Sequence, residues 1–269
     1  MRSGHASVGT WVGLGTVALL ALAMVAPFLY MVSLSLVGET DVFQWPPGNY
    51  AGALSALPFG RFVLNSAIVA TCVAVAQVLT SAMAAYAFAR LHFPGRDRLF
   101  LVFLSVLMVP AIVLLIPRFL IINAFGWVDT YAGLISTEVV SVWGIFLLRE
   151  FFRTLPRDLE DAARLDGAGE WTILWRVILP LSKPAIATLA AFAFVDQWKN
   201  FLWPLVATRS VEMRVVEVGL ARFHELYPTY WPYQMAVAVM ATLPLVVVFF
   251  VAQRYVIRGI QLLNVSSPA

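Results

Sequence analysis

The chain has 269 residues, of which 61% are hydrophobic and only 12% are charged. Soluble domains carry about 25% charged residues, so this composition cannot cover the surface of a soluble enzyme. The 18 basic and 15 acidic side chains leave a net charge of +3, without the basic stripe that binds nucleic acid. The single cysteine excludes an internal disulfide. We therefore expect the chain to lie in a lipid bilayer.

Six stretches are long and apolar enough to cross the hydrocarbon core of a bilayer, which needs about 20 residues of helix. In chain order they are residues 11–36, 62–89, 99–117, 130–148, 184–207 and 233–253. Open strands would leave unpaired backbone groups in lipid, so the stretches predict an all-α membrane protein with six transmembrane helices. Pro110 in the third stretch is interpreted as a kink residue.

The connecting segments predict the topology. Twelve of the 18 lysines and arginines fall in segments that share one side with the N-terminus. Cytoplasmic loops carry an excess of lysine and arginine, so both termini are expected in the cytoplasm. No composition shift or linker divides the chain, and residues 1–269 are predicted to form one integral membrane domain.

The long cytoplasmic connection 149–183 has the pattern of two short helices. The first is predicted from Pro156 to Gly167, since proline suits a first helical position and glycine a helix end. A second follows before Pro180. Such a hairpin is suited to docking in the groove of another protein. Periodicity alone is equally consistent with a solvated connection on the membrane surface.

A signature in this loop resembles a known family. The signature begins with Asp161-Ala162-Ala163. Gly167 follows after three residues, and Val177-Ile178-Leu179-Pro180 follows after nine more. This pattern resembles E-A-A-x(3)-G-x(9)-I-x-L-P. That signature belongs to permease subunits of bacterial ATP-binding cassette importers. Asp161 stands in place of its Glu, and Val177 in place of its Ile. Further segments resemble the carbohydrate-uptake branch, which includes the second maltose-type permease: residues 65–69, 84–91, 109–111, 144–153, 201–204 and 253–259.

The resemblance implies the importer permease fold, with a cytoplasmic hairpin that couples to a separate ATPase. The coupling residues that it implies are Asp158, Glu160, Asp161, Ala162, Ala163, Arg164, Asp166 and Gly167. It also implies a carbohydrate or related polyol as substrate and a multi-pass location in the bacterial inner membrane. The implied partners are a second homologous permease subunit, an ATP-binding cassette ATPase dimer, an extracytoplasmic solute-binding protein and membrane lipid. No cofactor is expected here, because the chain lacks the G-x(4)-G-K-[ST] phosphate loop and the partner ATPase would use ATP and magnesium.

Three ionisable residues lie inside predicted spans, where a charge costs about 2.5 to 3.5 kcal/mol. Asp196 and Lys199 have the spacing of a helical ion pair, which would be a structural role. With Trp198 and Asn200 they could instead form a substrate path, where polar groups bind sugar hydroxyls and an aromatic ring stacks on a sugar face. Glu138 in the fourth span is expected to pair with Lys199 or to be protonated, and is a further candidate for the path.

These charges leave a second class of function open. An ion-coupled secondary transporter of a small polar solute could use Glu138 and Asp196 as its relay. The hairpin favours the importer permease, because a secondary transporter needs no dock for an ATPase. An intramembrane enzyme is not favoured, since neither H-E-x-x-H nor G-x-S-x-G is present.

Overall fold

The computed structural model describes residues 8–37 and 48–265, and no β-strand is formed within these ranges. The helices are α1 (Val8–Ser35), α2 (Gly48–Ala56), α3 (Phe59–Arg90), α4 (Arg96–Ser105), α5 (Leu115–Ala124), α6 (Tyr131–Ser136), α7 (Val142–Thr154), α8 (Asp158–Leu165), α9 (Glu170–Ile173), α10 (Leu179–Leu181), α11 (Lys183–Trp198), α12 (Leu202–Ala207), α13 (Val216–Leu226) and α14 (Trp231–Val265). The all-α prediction is confirmed. The terminal residues 1–7 and 266–269, on which the predicted side of both termini depends, lie outside the described residues.

Three helices in the described part of the chain are long and apolar enough to cross a membrane on their own. They are Gly13–Ser35, Phe59–Arg90 and Trp231–Arg254, which match the first, second and sixth predicted spans. Two bent helix pairs raise the number to five if each counts as one span. The third, fourth and fifth predicted spans are therefore broken helices, and the number of six spans stays a prediction.

The break in the third predicted span, 99–117, lies at Val109 and Pro110. The segments Arg96–Met108 and Ala111–Ala124 meet at an angle of 93°. Proline disfavours a helical conformation in the residue before it, and Val109 is extended, with φ −82° and ψ 118°. The sequence-based interpretation of Pro110 as a kink residue agrees with this bend.

The fourth predicted span, 130–148, is interrupted between α6 and α7. Its carbonyl groups accept hydrogen bonds from side chains of α3, which replace the missing helical bonds. Gln77 Nε2 donates to the Glu138 carbonyl at 2.8 Å, and Thr80 Oγ1 donates to the Val139 carbonyl at 2.8 Å. Ser141 then starts α7, because its hydroxyl accepts a hydrogen bond from the Gly144 amide at 3.0 Å.

The fifth predicted span, 184–207, is also two helices, because α11 ends at Trp198 and α12 begins at Leu202. Before it, the segment Glu170–Leu181 meets Lys183–Trp198 at 82°.

The chain divides into two compact units, and the first comprises residues 1–58 and 220–242. Inside this unit, Asn49 Nδ2 donates to the carbonyls of Ser35 and Val37, at 2.9 and 2.6 Å. The hydroxyl of Tyr230 donates to Asn49 Oδ1 at 3.3 Å. One buried amide therefore joins the end of α1, the start of α2 and the segment before α14.

The second unit comprises residues 59–219 and 243–269, and its core is formed where α3 packs against α7 and α11. The buried face of α3 is rich in small residues: Ala70, Ala74, Ala82, Ala85 and Ala89. Small residues let helix backbones approach closely inside a membrane. Leu148 and Phe152 of α7 and Leu189 of α11 complete this core, and each of these three side chains is fully buried.

Gly144 of α7 faces Ser81 of α3 and Leu189 of α11, and we expect Gly144→Ala to destabilise the protein. A Cβ atom there would lie 2.7 Å from Ser81 Oγ and 2.9 Å from Leu189 Cδ1. Overpacking of this kind costs about 1–3 kcal/mol. Thermal unfolding of the purified chain in detergent measures the loss. Gly60→Ala is the control, since no heavy atom lies within 4 Å of a Cβ there, and equal melting of the two variants would contradict the prediction.

Asp129 joins two loops of the second unit. It has a left-handed backbone, with φ 64°. Its Oδ1 accepts hydrogen bonds from the Arg209 amide at 2.9 Å and from the Ser210 amide and hydroxyl at 3.0 and 3.1 Å. Partial burial raises the pKa of the Asp129 carboxyl, but the hydrogen bonds from Arg209 and Ser210 outweigh it and hold the pKa below the ordinary value.

We expect Asp129→Ala to lower the free energy of unfolding by about 1–2 kcal/mol, because three donors lose their acceptor. The lowered pKa of Asp129 adds stability above the ordinary pKa of aspartate, and this stability is lost as the pH falls through the folded value. Unfolding measured from neutral to about pH 3 tests both points. Asp129→Asn keeps Oδ1 and tolerates the left-handed backbone, so it should retain most of the stability without the dependence on pH. Loss of stability equal to that of the alanine variant would contradict this account.

Candidate functional site

The three helix breaks open onto one cavity of about 600 Å³ in the second unit, here called the polar cavity. Its polar lining consists of Arg118, Glu138, Asp196, Gln197, Lys199 and Asn200. Irregular backbone at membrane depth is tolerated where it lines such a cavity. Within residues 8–37 and 48–265, no three His, Cys, Asp or Glu side chains lie together as metal ligands do.

Glu138 forms an ion pair with Arg118, and the two side chains are 17% and 21% exposed. Arg118 also donates to Thr137 Oγ1 at 2.9 Å, and its guanidinium lies 4.2 Å from the centre of the Trp203 ring. The predicted pairing of Glu138 with Lys199 is therefore wrong. The break between α6 and α7 turns Glu138 towards α5, which carries Arg118, a residue that the sequence analysis did not select.

Asp196 and Lys199 both line the polar cavity, but no ion pair joins them among the salt bridges of the described residues. Lys199 follows the last residue of α11, and its amide donates to the Val195 carbonyl at 3.1 Å. A cation is favoured at a helix C-terminus by the helix dipole. The helix dipole therefore favours the Lys199 ammonium group at this position without the predicted partner.

Trp198 is placed differently from the expectation. Its ring is only 1% exposed and stacks on Phe194 at a centroid distance of 5.6 Å, outside the lining of the polar cavity. The exposed aromatic rings of the lining are those of Phe192 and Phe201. Asn200 does line the cavity, as the sequence predicted for this segment.

A second feature is the helical hairpin formed by α8 and the helix that begins at Glu170, here called the hairpin. Gly167 has φ +83°, and its amide donates to the Arg164 carbonyl at 3.0 Å. The Ala168 amide donates to the Ala163 carbonyl at 2.9 Å, which completes a Schellman end to α8. The predicted helix end at Gly167 thus has a left-handed backbone, although α8 begins two residues later than Pro156.

The second helix of the hairpin runs further than the sequence indicated. A π-helical turn, Leu174–Ile178, leads directly into Leu179–Leu181, so the helix passes through Pro180. Proline has no amide to donate, and a wider turn accommodates its ring.

The hairpin is fixed to α3 by a buried ion pair. Arg90 Nε lies 2.9 Å from Glu160 Oε1, and each side chain is 3% exposed. Arg90 also donates to the carbonyls of Leu155, at 2.7 Å, and of Phe152, both at the end of α7. One arginine at the end of α3 therefore holds both the end of α7 and the middle of α8. Glu160 was among the coupling residues predicted from the sequence, and Arg90 was not.

Arg164 connects the two helices of the hairpin. It lies 3.0 Å from Asp161, 3.6 Å from Glu160 and 3.2 Å from Glu170. The hydrogen bond to Glu170 is the largest contribution that holds the pKa of Arg164 above its ordinary value. Tyr86 of α3 donates to the same Glu170 carboxylate. Two contacts therefore hold the hairpin against α3, that of Arg90 with Glu160 and that of Tyr86 with Glu170.

The outer surface of the hairpin differs from the predicted one. Glu160 is 2% exposed and points into the chain, and Ala163 is half-buried against the helical core. Of the two alanines, only Ala162 is exposed. Large apolar side chains also face outward, and the most exposed are Leu165 at 90% and Trp171 at 64%. The predicted coupling residues that are exposed are Asp158, Asp161, Ala162, Arg164, Asp166 and Gly167.

The chain is a helical membrane protein. It has a polar cavity at its broken helices and a hairpin fixed to the end of a spanning helix. Together these features are the architecture of a membrane transport subunit. Residues 77–262 match the protein family described as "binding-protein-dependent transport system inner membrane component", and the chain belongs to this family. The chain is a multi-pass inner membrane permease subunit of an ATP-binding cassette importer, and ATP hydrolysis belongs to a separate subunit. The predicted importer permease is confirmed.

Individual relatives cover almost the whole chain. The chain is 33% identical over 263 residues to the sn-glycerol-3-phosphate transport system permease protein UgpE of Brucella abortus (strain 2308), covering 91% of this chain and 93% of that one. It is 32% identical over 257 residues to the protein of the same name from Rhizobium meliloti (strain 1021), covering 89% and 91%. A chain from the crystal structure of a bacterial ABC transporter involved in the import of the acidic polysaccharide alginate has a TM-score of 0.80 at 24% identity, covering 94% of this chain and 100% of that chain.

Proposed function

We propose that the chain forms half of the translocation path for a carbohydrate, a polyol or a phosphate ester of one. The observation that carries this proposal is the polar cavity, where three helix breaks expose hydrogen-bonding side chains to one volume. The names of the relatives support the substrate class, since they concern sn-glycerol-3-phosphate and alginate. A second homologous permease subunit would complete the path on the open side.

The lining of the polar cavity suits a solute with several hydroxyl groups. Arg118 and Glu138 largely neutralise each other, which leaves Lys199 as a donor and Asp196 as an acceptor. Carboxylate and amide oxygens accept hydrogen bonds from hydroxyls, and ammonium and amide groups donate to them. Exposed phenyl rings at the rim provide apolar contact for the carbon faces of a sugar.

Coupling would pass through the hairpin. In this proposal its exposed surface, with Asp161, Ala162 and Leu165, docks on the cytoplasmic ATPase dimer, which uses ATP and magnesium. The solute-binding protein delivers substrate on the other side of the membrane, and both termini lie in the cytoplasm. The buried pair of Arg90 and Glu160 carries the movement of the docked hairpin into α3.

Import by the reconstituted complex tests the role of the polar cavity. The double variant Asp196→Asn with Lys199→Gln should assemble normally with its partners but import at least about tenfold more slowly, or prefer another solute. Radiolabelled solute uptake into liposomes, with the binding protein and ATP supplied, is the measurement. The control is Arg222→Gln with Glu225→Gln, which removes an exposed ion pair of α13. If the double variant imports the same solute at the rate of the parent, the translocation path lies elsewhere in the chain.

The same liposomes separate the importer from the alternative mechanism. Uptake should require the ATPase, ATP and the binding protein. Uptake by the chain alone, driven by a proton or sodium gradient without ATP, would contradict the proposed mechanism.

A further inference from the structure

A second charged cavity, of about 400 Å³, lies where α3 and α7 end and α4 begins. Five arginines and one acidic residue form its polar lining: Arg90, Arg96, Arg149, Arg153, Arg157 and Asp97. This arginine cavity is separate from the polar cavity, since the two have no lining residue in common. Of its lining residues, only Arg90 takes part in the proposed coupling, through its ion pair with Glu160.

Arg149 is the most deeply placed of the arginines not engaged by the hairpin, and its side chain is 10% exposed. It lies 2.6 Å from Glu150 and 3.7 Å from Asp97, and its guanidinium lies 4.0 Å from the centre of the Phe100 ring. These contacts hold its planar fork at the wall of the cavity. A rigid guanidinium fork is suited to bidentate binding of a phosphate group.

The carboxylates nearby do not balance the arginines. Arg90 is engaged by Glu160, so Asp97 and Glu150 are left to serve four arginines. Arg96 lies 3.0 Å from Asp97, and Arg153 lies 3.3 Å from Glu150. No salt bridge of the described residues includes Arg157. Positive charges crowded in this way are stabilised by an anion from outside the chain.

The surroundings indicate what brings that anion. α4 leads away from the cavity and exposes large apolar side chains, with Leu99 at 49%, Leu101 at 65% and Val102 at 64% exposure. A free phosphate ion matches only the arginines. A phospholipid matches both features, because its phosphate can bind the guanidinium groups while its acyl chains lie along α4. Basic pockets at the membrane interface bind anionic headgroups in this way.

We propose that the arginine cavity binds the phosphate headgroup of an anionic phospholipid. Arg149 orients the phosphate, and the more exposed Arg153 and Arg157 provide the excess charge that favours anionic over zwitterionic lipid. The site is independent of the proposed substrate, so its test does not depend on transport.

Native mass spectrometry of the delipidated complex containing the full chain tests this site. The complex is titrated with phosphatidylglycerol and with phosphatidylcholine of the same acyl chains. The parent should bind phosphatidylglycerol at least about tenfold more tightly. Arg153→Gln with Arg157→Gln should weaken that binding about 25-fold, since each basic side chain near a headgroup contributes about fivefold, and should leave phosphatidylcholine binding unchanged. Both residues are exposed, and an unchanged melting temperature shows that the fold is retained.

The control variant Arg61→Gln with Arg98→Gln removes the same number of exposed positive charges outside the arginine cavity, and it should bind phosphatidylglycerol like the parent. Inorganic phosphate at millimolar concentration should not displace the bound lipid. Equal binding of the two lipids by the parent, or parental binding by the Arg153 and Arg157 variant, would overturn the proposal. Phosphate that displaces the lipid and itself depends on these arginines would show that a free anion, and not a lipid, is the ligand.

Discussion

Replacement of Arg90 by alanine is expected to abolish coupled transport and to lower the free energy of unfolding by about 3–5 kcal/mol. The change would leave Glu160 as a buried carboxylate without its main counter-charge, since Glu160 is 2% exposed. It would also remove the guanidinium hydrogen bonds to the carbonyls of Phe152 and Leu155 at the end of α7. The hairpin would then no longer follow α3, so ATP hydrolysis and solute movement should become uncoupled.

Three variants separate this effect from a general loss of charge. Arg90→Lys keeps the charge but cannot reach two carbonyls and a carboxylate as a guanidinium does, so partial activity is expected. Arg90→Met with Glu160→Met should recover most of the stability but not the coupling, because a buried ion pair can be replaced by apolar side chains at little cost. Arg222→Ala, which breaks an exposed pair, should cost less than about 1 kcal/mol. Thermal unfolding and stimulated phosphate release are the measurements. Normal coupling in Arg90→Ala would show that the ion pair has no role in transmission.

Gly167→Val should reduce solute-stimulated ATPase activity to the basal level. Valine is strained at φ +83°, although no heavy atom lies within 4 Å of a Cβ at this position. The cost is therefore one of backbone conformation and not of space, of about 1–3 kcal/mol. The strain is relieved by unwinding the end of α8, which changes the angle at which the hairpin meets its partner.

Gly169 provides the matched control two residues away. It also has open space around a Cβ, but its backbone is extended, with φ −77° and ψ 165°, which suits valine. Gly169→Val should therefore retain co-purification of the ATPase and stimulated phosphate release. Equal activity of the Gly167 and Gly169 variants would show that the left-handed turn is not required for coupling. Gly167→Asn should be intermediate, because asparagine tolerates this conformation better than valine.

The continuous helices could be predicted from the sequence, but two of the three breaks could not. Uninterrupted apolar runs are sufficient to indicate α1, α3 and α14, and Pro110 explains the bend after α4. The break between α6 and α7 contains neither proline nor glycine. It is stable only because Gln77 and Thr80, about 60 residues earlier in the chain, bind its carbonyl groups. Such a tertiary contact leaves no signal in the local pattern.

The candidate site was predictable in its residue types but not in its pairings. Charges inside apolar stretches correctly drew attention to Glu138, Asp196 and Lys199, which line one cavity. Arg118 was missed because it follows the apolar stretch 99–117 and so lies just outside the predicted span. A buried carboxylate needs a counter-charge, and that requirement could have led to it. Trp198 was selected for its proximity in sequence, whereas burial against Phe194 removes its ring from the cavity.

One uninterrupted helix, α3, holds both the polar cavity and the hairpin of this chain. Gln77 and Thr80 secure the wall of the polar cavity, and Arg90 secures the hairpin, about 20 Å further along the same helix. In the proposed importer, a shared rigid element makes the two events thermodynamically linked, and such linkage is reciprocal. If bound solute strengthens docking of the ATPase by a certain free energy, docking of the ATPase must strengthen solute binding by the same free energy. Variants along α3 should therefore change the effect of solute on ATPase affinity and the effect of the ATPase on solute affinity by the same factor.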